Sequence, residues 1–226
     1  MASGVETKSE NDKDCHTEMG LELQLYPDQV KNHWPKEGKH ILAQYDTTSL
    51  VVYQAFKPSI AKYAVENQSF GGPDFSFSRM SWIKTNFLWM MYRSGWASKK
   101  NQECILAVHL KRSGFDLILA NAYTAQRSQG LSTYEIGVRL QWDPDHTPNY
   151  HKENRRAIQL GLKGDILKKY GTEWIVKITD ITDFVKQQRK LVDEDRVHEL
   201  MTPKERVYPV HDHSVMTQIE LDQWQS

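Results

Sequence analysis

A chain of 226 residues suffices for one domain, or one and a half, around a sizeable core. Lys plus Arg and Asp plus Glu number 29 each, so no global basic field argues for nucleic acid, and only a local patch fits this balance. Two cysteines exclude a disulfide framework, and the chain has neither a long apolar run nor an apolar N-terminal segment; an intracellular protein, cytoplasmic or nuclear, with no membrane partner is expected.

Residues 1–20 are polar and read as disordered. Residues 21–39 contain Pro27 and Pro35 and read as an irregular arm, with Leu23, Leu25 and Trp34 as anchors. The globular domain is expected over 40–200, followed by a polar C-terminal tail over 201–226. Ser49 to Phe56 is rich in β-branched and aromatic residues and predicts a buried strand. Pro58 opens a helix over 59–66. Gly71-Gly-Pro-Asp74 is a turn, and Phe75 to Ser78 reads as a short strand.

Met80 to Trp96 is the densest stretch and reads as one helix. Ile83, Phe87, Met90 and Met91 share its core face, and Trp82, Trp89 and Trp96 recur every seven residues close to one line. Lys84, Asn86 and Arg93 stay off the core face. Either this is an ordinary buried helix, or its polar edge lines a site for a flat anion, since Arg pairs phosphate and aromatic faces stack on bases.

Further strands are expected at Cys104–Leu110, Ile136–Trp142, Ala157–Leu162 and Glu173–Thr179. Ser113, Asp165 and Thr182 or Asp183 are the expected starts of intervening helices, and Asp143 to Pro148 reads as a turn-rich loop. Two late strands follow each other closely. That favours an α+β domain with a mixed or mostly antiparallel sheet flanked by helices over a doubly wound parallel one.

Known chemical motifs are missing. There is no glycine-rich dinucleotide fingerprint, phosphate loop, nucleophile elbow or Cys-x-x-Cys, and no metal is expected. What stands out is polar residues inside apolar strands: Gln54, Arg139, Gln141, Gln159 and Glu173. They either face water or line a shared cleft. Arg79, Lys84 and Arg93 add positive charge.

The strings Val52-Tyr-Gln-Ala55, Met80-Ser-Trp-Ile-Lys84, Phe87 to Trp96, Gln141-Trp-Asp-Pro144, Ile158-Gln-Leu-Gly-Leu162 and Glu173-Trp-Ile-Val176 resemble the family named domain of unknown function 4291, over about Tyr45 to Ile181. More distantly, the plan resembles the ADP-ribosyltransferase superfamily. There an early His-Gly motif grips NAD, serines precede a helix, and a late strand opens on a catalytic glutamate. Tyr53-Gln-Ala55, Ser76 to Ser81 and Glu173-Trp-Ile-Val176 take those places, with Gln54 and Ala55 standing for the motif's histidine and glycine. The resemblance implies a split sheet and an enzyme using NAD to modify a protein or nucleic-acid acceptor. In it Glu173 is catalytic, steadying the oxocarbenium-like centre, and Tyr53, Gln54, Ser78, Arg79, Lys84 and Arg93 hold the nucleotide. The alternative is single-stranded RNA or DNA binding by Arg79, Lys84, Arg93, Lys99 and Lys100 interleaved with Trp82, Trp89, Tyr92 and Trp96. A third possibility is an interaction domain whose tryptophans are all core.

Overall fold

The computed structural model describes residues 19–130 and 136–224. In chain order its elements are β1 (Leu23–Leu25), α1 (Tyr26–Asn32), β2 (Gly38–Lys39), β3 (Leu42–Ala43), β4 (Ser49–Phe56), α2 (Pro58–Asn67), β5 (Ser81–Lys84), α3 (Phe87–Ser94), β6 (Cys104–Lys111) and α4 (Arg112–Ala120). They continue with β7 (Ala122–Tyr123), β8 (Val138–His146), β9 (Lys152–Leu162), α5 (Gly164–Thr172), β10 (Ile175–Asp180), α6 (Thr182–Asp193), β11 (Met201–Pro203), β12 (Arg206–Val207) and α7 (His213–Gln218). Among the described residues no helix is long and apolar enough to cross a membrane.

The main sheet runs β10-β6-β4-β5-β9-β8-β7, with β2 added beside β9. Neighbours are antiparallel except β7 on β8 and β2 on β9, which are parallel. This is the expected α+β domain with a mixed, mostly antiparallel sheet.

Period-two alternation gives the sheet two unlike faces. On one, Leu50, Val52, Ile83, Leu106, Val108, Leu140 and Leu160 form a continuous core with residues of α2, α4 and α5. On the other, Val51, Tyr53, Ile105 and Ala107 are covered by α3 and α6 through Phe87, Met90, Met91, Phe184 and Val185. Beyond α3 the second face turns polar. The register Tyr53↔Lys84↔Gln159↔Gln141 carries it across β4, β5, β9 and β8.

Several local expectations change. Met80 to Trp96 is not one helix: Ser81–Lys84 is a strand and only Phe87–Ser94 is helical. The side chain of Asn86 accepts a hydrogen bond from the backbone N–H of Trp89 at 2.7 Å and so caps a helix that starts after it. Gly95 closes that helix at φ 61°, a conformation that favours glycine. Phe75 to Ser78 is a loop, pinned where Phe75 packs against Phe56 and Phe70. Asp143 to His146 is no turn but the end of β8, and the reversal falls at Thr147 to Tyr150. Ser113 lies inside α4 instead of capping it. Residues 201–224 do not form a loose tail. β11 pairs with β1, β12 pairs with β3, and Tyr208 and Ile219 enter the core. The arm at 21–39 likewise holds α1, with Trp34 buried, while Leu25 is exposed. Residues 1–18, including Cys15, lie outside the described residues.

Candidate anion-binding cleft

β4 and β5 are in register at Tyr53↔Lys84. Toward Phe56 the link between them is made by a side chain. Gln54 Nε2 donates to Ser81 Oγ at 2.9 Å and to the Trp82 carbonyl at 3.0 Å, while its Oε1 accepts from the Tyr170 hydroxyl at 2.6 Å. Gln54 therefore staples a fork in the sheet. A cleft of about 700 Å³ opens there, bounded by β4, β5, β9, α3 and the segment Lys100–Gln102.

Arg79, Lys84, Arg93 and Lys100 all line this cleft, and no carboxylate does so among the described residues. Arg79 is carried by the loop before β5 and Arg93 by the last turn of α3; both are exposed. Trp82 and Met80 lie over Gly161, where a Cβ would meet Met80 Sδ at 2.6 Å and the indole at 3.0 Å. The missing side chain on β9 thus makes room for the ring that flanks the cleft.

Lys84 is the unusual member, only 6% exposed. Its Nζ sits 5.2 Å from the centre of the Trp89 ring and donates one long bond, 3.4 Å, to the Trp82 carbonyl. Burial, reinforced by Arg93 and opposed by Asp143, pushes its pKa down to about 7. Beside it, Gln159 Nε2 donates to Asp143 Oδ2 at 2.6 Å and to Gln141 Oε1 at 2.8 Å. Burial holds the Asp143 carboxyl above its ordinary range.

Four of the seven residues nominated from sequence, Gln54, Arg79, Lys84 and Arg93, meet in this cleft. Three do not. Tyr53 is wholly buried beneath α3, its ring edge-on to Phe87 at 5.5 Å. Ser78 is exposed and hydrogen-bonds Ser76 at 2.8 Å, outside the lining. Glu173 is not on a strand. It ends α5, and its carbonyl accepts from Lys111 Nζ at 3.0 Å. Lys111 lies five residues along β6 from Leu106, the partner of Gln54, which is roughly 16 Å at about 3.3 Å per residue. Glu173 therefore belongs to the opposite end of these strands. The aromatic row also divides: Trp89 and Trp96 are buried, while Tyr92 is exposed and stacks on His146 at 3.6 Å.

A second buried charged cluster escaped the sequence reading. Arg155 Nε donates to Asp145 Oδ2 at 2.5 Å, and the N–H of Phe87 donates to Glu205 Oε1 at 2.7 Å. Asn86 Nδ2 lies 3.4 Å from both carboxylates. Gln29 accepts from the Glu205 N–H at 2.8 Å, and Trp34 Nε1 donates to the Glu205 carbonyl at 3.0 Å. The cluster fastens the N-terminal arm and the returning C-terminal segment to the start of α3. Burial drives the Glu205 carboxyl well above its ordinary range, and that of Asp145 upward despite Arg155. Among the described residues no group of three or more His, Cys, Asp or Glu is placed to hold a metal ion.

A mostly antiparallel sheet with a cation-lined cleft at its fork defines the chain as an α+β domain. The chain belongs to the family described as Domain of unknown function (DUF4291), which matches residues 40–208. The match reaches past the strings quoted above to include β12 and Glu205. A comparison with curated proteins gives no match.

Proposed function

We propose that this cleft binds a phosphate-bearing planar ligand of the nucleotide class, NAD among them. The observation that carries the reading is the convergence of Arg79, Lys84, Arg93 and Lys100 on one hollow whose described lining has no carboxylate. Guanidinium groups pair phosphate oxygens through two hydrogen bonds, and the Trp82 indole supplies a face for a base. The volume, about 700 Å³, falls within the range of roughly 300–1,000 Å³ usual for small-molecule sites.

ADP-ribosyl transfer from NAD needs a carboxylate at the reacting sugar. Glu173 is at the far end of the strands, so the geometry supports nucleotide binding ahead of transfer. The cations gather at one spot and two of the tryptophans are core, which favours a nucleotide-sized ligand over a nucleic-acid strand tracked along a groove.

Calorimetric titration with adenosine, AMP, ADP, ATP and NAD tests this. Affinity should rise with the number of phosphates, fall with salt, and drop in Arg79→Ala and Arg93→Ala. Equal affinity for adenosine and ATP, or no binding by any of the series, would refute it.

A further inference from the structure

Lys84 is buried in the cleft, and among the described residues it forms no ion pair. Asp143 on β8 and Arg93 on α3 are the charged groups whose fields act on it, and they oppose each other. Its ammonium form keeps one long hydrogen bond and the face of Trp89. With burial dominating, the pKa falls to about 7 and the balance shifts toward the free amine. A desolvated amine beside another cation is the arrangement that makes lysine a nucleophile toward carbonyls. Arg79, Arg93 and Lys100 on the same cleft would fix a phosphate and so hold a carbonyl of the same ligand against the amine.

We propose that Lys84 forms a reversible imine with a phosphorylated aldehyde seated in this cleft. The proposal rests on the anion-binding reading and narrows its ligand class. The Nζ lone pair adds to the carbonyl carbon and the C=O π electrons move to oxygen, giving a carbinolamine after a proton passes from nitrogen to oxygen. The C–O bond then breaks. The oxygen leaves as water with both amine hydrogens, and a C=N bond remains. No oxidant or reductant takes part.

The probe is pyridoxal phosphate, followed by borohydride reduction, intact mass and peptide mapping, with ATP binding measured on the same samples. One adduct per chain is expected, on the peptide holding Lys84. It should form at least about tenfold faster than with phosphate-free pyridoxal, because the phosphate positions the aldehyde. ATP should protect against it. Lys84→Arg and Lys84→Met, each checked for an intact thermal transition, should lose it. Adducts spread over surface lysines, or retained in Lys84→Arg, would overturn the proposal. Absence of a Lys84 adduct in protein that still binds ATP overturns the imine and leaves the cleft reading standing. A phosphate-dependent Lys84 adduct in protein that binds no nucleotide supports the imine and removes the nucleotide assignment. Neither adduct nor binding removes both.

Discussion

Two groups of charge flank α3, one wholly buried and one with a single buried member, and they are built on opposite plans. At its N-terminal end Arg155, Asp145, Asn86 and Glu205 meet one another and backbone N–H groups. Toward its C-terminal end Lys84, Arg79, Arg93 and Lys100 share a hollow, where Arg93 repels the Lys84 ammonium. A buried charge with partners is a fastener; breaking it leaves the other charge exposed to low dielectric. A buried charge without partners lowers stability and persists where something else supplies the counter-charge. The difference separates the structural cluster from the proposed ligand site with no appeal to either end's shape.

The largest effect should come from breaking the paired cluster. Arg155→Ala strands Asp145, and a loss of about 3–5 kcal/mol in denaturant unfolding is expected. Glu205→Gln sharpens the point, since it keeps an oxygen for the Phe87 N–H. With its pKa raised, Glu205 holds a proton in the folded state over a range where the unfolded chain has lost it. Its contribution is thus present at low pH and falls as pH rises above its ordinary value of 4.5. Glu205→Gln should flatten that decline, and an unchanged pH–stability profile would contradict it.

Next comes the unpaired group, with the sign reversed. Folded Lys84 binds fewer protons than the unfolded chain between about pH 7 and its ordinary 10.5, so stability rises with pH across that window. Lys84→Met should stabilise the protein at pH 7 by on the order of 3 kcal/mol. The gain should shrink toward pH 10, as urea melts at several pH values would read. A destabilised Lys84→Met at neutral pH would mean that the amine is paired after all.

Arg79→Ala and Arg93→Ala should leave stability within about 0.5 kcal/mol of the parent while weakening ATP binding about ten- to a hundredfold each. Smallest of all, Ser78→Ala and Glu173→Gln should leave nucleotide affinity unchanged in the same titrations. A loss in Glu173→Gln would restore the transferase mapping that the fold pulls apart.

Much of the sheet was legible because β4, β6, β8 and β9 carry runs or alternation that only strands satisfy. Gln54 and Gln159 were legible as hydrophilic residues at positions a plain core strand would fill with apolar ones. What sequence could not reveal was distance. Glu173 reads like a strand residue because Trp174 to Val176 are apolar, yet α5 runs on to Thr172 and leaves it as a cap. Lys84 read as a helix-edge residue because the cap at Asn86 went unrecognised within an apolar, aromatic stretch. Glu205 sits among Pro203, Lys204 and Arg206, a composition that looks solvated. Its burial follows only from β11 and β12 pairing with strands about 160–180 residues earlier.

The most direct test is the proton count on binding. Burial lowers the Lys84 pKa to about 7, and at pH 8 a phosphate beside it, by raising that pKa, should draw a proton onto the amine. ATP titrations in buffers of different ionisation enthalpy should therefore show uptake approaching one proton, abolished in Lys84→Met. Binding with no uptake, or with the same uptake in Lys84→Met, would contradict the account.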